Sequence, residues 1–199
     1  MQIVLATRNK KKIDEIRRIT AGLPVAILSL GDFPHCPDVV EDSDSFEGNA
    51  RKKAIEICQC TGKPALADDS GLEVEALHGA PGIYSARYAG GAGEVDDAKN
   101  NAKLLAELRN VEDSRRGAQF VCCIALAFPD GEVKTFLGIA PGRIIHEPRG
   151  TNGFGYNPIF IPEGHSRTFA EMSGEEKDKL SHRGKALMKL REFINANFI

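Results

Sequence analysis

The chain is 199 residues long, 42% hydrophobic and 27% charged, with a formal net charge of −2. That length suits one domain with a sizeable core, and the balance is that of an ordinary globular protein rather than a disordered chain. So small a net charge supplies no overall field for a nucleic-acid backbone, so no nucleic-acid partner is expected and any affinity for phosphate must be local.

The N-terminus opens on Ile3-Val4-Leu5-Ala6, an apolar run that suits a strand buried on both faces. It lacks the h-region of a signal peptide, and no apolar run approaches the ~20 residues of a membrane span. A cytoplasmic protein with no membrane partner is expected. Asn9 can cap a helix in which Ile13, Ile16 and Thr20 recur at helical spacing, with Gly22 and Pro24 ending it. The strand-to-helix turn, Thr7-Arg8-Asn9-Lys10-Lys11-Lys12, puts cations where the helix dipole is already positive. A bound anion such as a triphosphate, met by backbone N–H groups, Thr7, Asn9 and Lys12, would reverse the sign of that effect. The bland alternative is that Lys10 and Lys11 fan into solvent.

A second strand is predicted over Val25 to Leu30, then an exposed loop over 31–44. Asp44 with Glu47 gives a capping-box pattern, and Phe46, Ala50, Ala54 and Ile57 mark one face of a helix ending near Gly62-Lys63-Pro64. Asn49 and Lys53 stand one turn apart on it. Lys53 could meet phosphate oxygens, or be a surface residue paired with a neighbouring acid, and Glu41 in the loop could join Asp69 at a cation. The Asp68-Asp69 pair just before Gly71 is either a solvated turn or cap, or two repelling carboxylates relieved by a cation or a hydrogen-bond donor. A sparse acidic set suits magnesium better than calcium.

A helix follows over about Asp96 to Arg109, with Asn101, Leu105 and Leu108 on one side. Strands over Phe120–Phe128 and Val133–Ile145 are joined by Pro129-Asp130-Gly131, a hairpin signal. Phe154-Gly155-Tyr156-Asn157-Pro158 can stack a planar base or anchor its own loop. A last helix runs from about Ser181, with Leu187, Leu190 and Ile194 buried. Lys177 and Ser181-His182-Arg183 precede or begin it: either a cap with surface charge, or donors reading a purine carbonyl. The five cysteines, Cys36, Cys58, Cys60, Cys122 and Cys123, form no C-x-x-C and are expected to be free thiols, with neither zinc site nor disulfide framework. Alternating strands and helices followed by a long hairpin predict a mixed α/β fold in a single domain over 1–199, with two lobes around a cleft.

Read together, Thr7-x-Asn9-x-x-Lys12, Phe46-x-x-Asn49-Ala50-x-x-Lys53-Ala54, Ala67-Asp68-Asp69-Ser70-Gly71-Leu72, Gly79-Ala80-Pro81-Gly82 through Ser85-Ala86-Arg87-Tyr88, Gly153-Phe154-Gly155-Tyr156 and Lys177 with Ser181-His182-Arg183-Gly184 resemble the inosine/xanthosine triphosphate pyrophosphatase (Ham1-like) family. The resemblance implies a long twisted sheet flanked by helices, and Mg2+-dependent cleavage of ITP, dITP or XTP to the monophosphate and pyrophosphate. It implies metal on Asp69 and Glu41, with Asp69 as catalytic base or holder of a metal-bound water. Thr7, Asn9, Lys12 and Lys53 would serve the triphosphate and Ser70 would add a substrate contact, with Arg8, Lys10 and Lys11 as further substrate-binding candidates. Phe154, Gly155, Tyr156, Asn157, Lys177, His182 and Arg183 would lie around base and sugar, with Arg87 a weaker candidate contact. A homodimer is implied by the family alone. Two departures matter: Arg8 stands where members often have glycine, and Asn157 where aspartate is common. The alternatives are a non-catalytic nucleotide-binding module, or a related pyrophosphatase acting on other modified nucleotides.

Overall fold

A computed structural model describes residues 1–90 and 96–198. The strands are β1 (Gln2–Leu5), β2 (Ala26–Ser29), β3 (Ala65–Val74), β4 (Gly117–Ala127), β5 (Val133–Ile144) and β6 (Phe160–Pro162). The helices are α1 (Lys10–Ile19), α2 (Phe46–Thr61), α3 (Asp97–Glu107), α4 (Gly174–Leu180) and α5 (His182–Phe198). The strands form one mixed sheet of order β2-β1-β3-β4-β5-β6, so the α/β class is as expected. β1 pairs in parallel with β2 and with β3, which requires the crossovers that α1 and α2 supply. β5 pairs antiparallel with β6, Arg143 opposite Ile161. No described helix is long and apolar enough to cross a membrane.

The chain divides into two compact units, and the division falls inside β3, β4 and β5. The first unit comprises Met1–Asp69, Cys122–Gly138 and Arg183–Ile199. Its core joins Ile3 and Leu5 of β1, Ile16 of α1, Leu66 of β3, Ile124 and Leu126 of β4, and Leu187, Leu190 and Ile194 of α5. The last three are the face that helical spacing predicted. Each such side chain, fully buried, contributes roughly 2 kcal/mol. The second unit comprises Ser70–Val121 and Ile139–His182. Leu72, Leu104, Leu108, Phe120, Phe160 and Phe169 form its core, with Phe120 and Phe160 packed edge to face at 4.7 Å.

Several expectations give way. The cap of α2 is Ser45, not Asp44: its hydroxyl accepts the Gly48 N–H at 3.1 Å, and the side chain one residue earlier is out of register to do so. On α3 the buried leucines are Leu104 and Leu108, while Leu105 is only partly buried. α4 was not foreseen, although Ser173 and Glu176 make a complete capping box at its start. The acidic pair is no turn: Asp68 and Asp69 lie inside β3 and are buried. Nor are all the thiols free. Cys36 and Cys60 are joined in a disulfide, and Cys58, Cys122 and Cys123 are buried free thiols. Folding the loop back on α2 brings those two Cα atoms to 5.8 Å across 24 residues of chain, a proximity that spacing along the sequence cannot reveal.

Candidate active site

Side chains of successive strand residues point to opposite faces, so Asp68 and Asp69 do not share an environment. Asp68 lies on the same face as Leu66, toward α1 and α5. Its Oδ2 accepts Arg183 Nε at 3.1 Å and the Cys122 thiol at 3.3 Å, and Arg183 Nη2 is 3.0 Å away. Its Oδ1 pairs with the Lys12 ammonium. Burial alone would raise this carboxyl. The charges of Arg183, Lys12 and Lys53 overcome it and hold Asp68 well below the usual range, so it stays ionised. Arg183 in turn reaches Glu15 Oε2 on α1 at 2.5 Å. Burial opposes its charge, and Asp68 with Glu15 more than offsets the loss of water.

Asp69 faces α2. That helix buries Phe46, Asn49, Ala50, Lys53, Ala54 and Ile57 in one stripe, and two polar residues there break the apolar rule. Such a breach marks a functional position when a partner explains it. Lys53 Nζ donates to Glu41 Oε1 and to the Asp68 carbonyl, both at 2.7 Å, and lies 3.5 Å from Asp69 Oδ1. Burial depresses its pKa less than Asp69, Glu41 and Asp68 raise it, so the ammonium persists. Asn49 accepts the Ser43 N–H at 2.9 Å and so ties the Glu41 loop to α2. The Cys36–Cys60 bond is a second tie on the same loop.

Asp69 Oδ2 is buried and, among the described residues, has no hydrogen-bond partner. Desolvation raises this carboxyl; Lys53 opposes the shift and Glu41 reinforces it. An orphaned carboxylate oxygen near a second carboxylate is a costly arrangement unless a ligand completes it. Two hard oxygen donors fit a magnesium ion that keeps its remaining positions for water and phosphate.

At the start of α1, Asn9 Oδ1 accepts the Lys12 N–H at 3.2 Å and Thr7 Oγ1 accepts the Asn9 N–H at 3.2 Å. The first turn holds no acid. Lys10 and Lys11 are exposed. Arg8 pairs with Asp38 at 2.8 Å and donates to the Cys36 carbonyl at 3.3 Å.

The second unit holds the other group. Lys177 on α4 is buried, with its Nζ 5.1 Å from the centre of the Phe154 ring, a cation–π distance. Tyr156 is buried, and its hydroxyl donates to the Ser85 carbonyl at 2.8 Å. Asn157 is buried, and its Nδ2 has no partner among the described residues. A Cβ at Gly153 (φ +78°) would collide with that amide and stand 3.6 Å from Lys177 Nζ, so only glycine fits there. His182 is buried and stacks on Phe120 at 4.6 Å with 8° between the planes. Ser70 is half-buried in β3, and Arg87 lies over the exposed Tyr84 ring at 5.2 Å.

Sequence reasoning missed Glu15 and Cys122, the partners of Arg183 and Asp68. Glu15 had one usable signal, its place between the apolar positions Ile13 and Ile16 of α1. Cys122 had none.

Residues 3–193 match the Ham1 family. A dITP/XTP pyrophosphatase of Syntrophobacter fumaroxidans is 54% identical over 192 residues, 96% of this chain and 81% of that protein. One of Geobacter sulfurreducens is 51% identical, covering 97% of this chain and 96% of its own length. The solved structure of a HAM1 protein from Coxiella burnetii superposes with a TM-score of 0.90 at 41% identity, over 98% of this chain and 99% of that one. With the match spanning both units and the fold shared end to end, this chain belongs to the Ham1 family.

Proposed function

We propose that the chain, acting as a single catalytic domain, hydrolyses the non-standard purine nucleoside triphosphates ITP, dITP and XTP to the nucleoside monophosphate and pyrophosphate. The observation that carries this reading is the buried Asp69 Oδ2, without a hydrogen-bond partner among the described residues, beside Lys53 and Glu41. The dITP/XTP pyrophosphatases at about half identity support the substrate class. In this reading the N–H groups opening α1, with Thr7, Asn9, Lys12 and Lys53, take the triphosphate oxygens, and Ser70 adds a contact. Asp69 and Glu41 would hold Mg2+, which when bound supplies positive charge to the phosphate oxygens. Asp69 orients the attacking water and accepts its proton as the water oxygen bonds to the α-phosphorus. The bond from that phosphorus to the bridging oxygen then breaks, and pyrophosphate leaves.

Arg183 serves the phosphate end from behind, because the Asp68 it holds also holds Lys12. The Phe154–Asn157 loop, Lys177 and His182 take the base. Donors facing a purine carbonyl would meet another donor in adenine, which is the basis for sparing ATP. A cytoplasmic location and a homodimeric state belong to the same reading; fractionation with thiol trapping and the mass in solution test them. The central test is pyrophosphate release from ITP, dITP and XTP with Mg2+, against ATP. Orthophosphate as product, or comparable turnover of ATP, would refute the bond or the specificity respectively.

A further inference from the structure

Asp97 and Asn101 stand one turn apart on α3, so their side chains leave the helix on one side. Asp97 Oδ2 accepts the Gly155 N–H at 2.8 Å, and Asn101 Nδ2 donates to the Gly155 carbonyl at 3.1 Å. One loop residue is therefore held by both of its backbone groups from one rigid helix. Gly155 has φ +64°, in the left-handed region, and has no side chain through which it could be held otherwise. Loop glycines are ordinarily the freest points of a chain, and this one is clamped.

The two neighbours of Gly155 are the aromatics of the loop. Phe154 lies under the Lys177 ammonium, and Tyr156 is anchored through its hydroxyl to Ser85. Rotation about the Gly155 backbone would swing the Phe154 ring, because Tyr156 is fixed on the other side. The Asp97 and Asn101 contacts oppose that rotation, alongside the Lys177 contact to the Phe154 ring. Leu104 of α3 and Leu108 at its C-cap carry the apolar packing, Asn101 is buried beside them and Asp97 is half-buried.

We infer that Asp97 and Asn101 are positioning residues for base selection, holding Gly155 by its N–H and C=O and so fixing the face that the Phe154 loop offers to a purine. The inference rests on the reading that this loop meets the base. Two hydrogen bonds, one of them to a charged acceptor, are enough to decide between a set and an unset loop.

The test uses the full chain with Mg2+ and compares kcat/KM for ITP with that for ATP. Asp97→Ala and Asn101→Ala should each lower the ITP-to-ATP ratio about tenfold, as expected for a lost hydrogen bond, chiefly through a raised KM for ITP. Asp97→Asn, which keeps an acceptor oxygen, should retain most of the ratio. An unchanged ratio in both alanine variants, or equal losses with both substrates, would overturn the inference. Should Asp97→Ala fail to fold, Asn101→Ala and Asp97→Asn decide. Phe154→Ala separates the two levels. If it too leaves the ratio unchanged, the loop does not meet the base. If it collapses the ratio while the α3 variants do not, only the clamp is wrong.

Discussion

Replacing Asp68 by asparagine should cost the fold about 3 kcal/mol. The carboxylate is buried, with Lys12 on one oxygen and Arg183 and Cys122 on the other. Breaking a buried ion pair by removing one partner costs about 3–5 kcal/mol, because the remaining charge is left uncompensated. The lower end applies here, since the asparagine oxygen can still accept from Arg183 and Glu15 still balances its charge. For a chain of this size, about 2–4 °C are lost per kcal/mol, so the melting temperature should fall by about 6–12 °C. Urea unfolding should show a lower midpoint at unchanged slope. The pH dependence carries a sign. Asp68 is held below its ordinary value of 3.8, so its contribution is present above about pH 4 and disappears as pH falls through the folded-state value. Wild type should therefore lose stability more steeply than Asp68→Asn below pH 4. A cost under about 1 kcal/mol, or parallel acid profiles, would refute the view of Asp68 as the buried hub of this network.

Asp69→Asn should lower pyrophosphate release roughly a hundredfold or more while the circular dichroism spectrum is kept; near-normal turnover would remove Asp69 from the chemistry. Lys53→Met should raise KM for ITP and leave Glu41 and Asp69 facing each other uncompensated, so an unchanged KM would argue against a phosphate role. Alkylation of the unfolded, unreduced protein should add three groups, for Cys58, Cys122 and Cys123, and five after reduction. Five before reduction would mean that Cys36 and Cys60 are not bonded. Phe120→Ala should cost about 3–5 kcal/mol by emptying core and removing the shelf under His182, read as a fall in the urea midpoint.

The parts of the fold that follow from local pattern were legible: Asn9 as a cap, the α2 stripe from Phe46 to Ile57, and the buried face of α5. β3 was obscured because carboxylates are poor strand residues, and the partners that justify them are remote. Arg183 lies 115 residues from Asp68 and 168 from Glu15, beyond any window of spacing. A separation of 54 residues from Asp68 hid the Cys122 thiol as well. Lys12, Lys53 and Glu41 could be singled out because motif and charge placement both marked them. The Gly155 clamp could not, because its acceptor and donor belong to the backbone, which every sequence has.

The placement of Asp68 and Asp69 on opposite faces of β3 makes their roles a matter of parity. Deleting Ala67, with the pairing of Val4 to Ala65 kept, would move Asp69 in among Arg183 and Lys12 and hand Asp68 to Lys53. Leu72 and Val74 beyond them would turn out of the core in the same step. Each acid would still be present and still be acidic, yet both would stand in the wrong compartment. The strand should thus accept many single replacements before it accepts any change in its length.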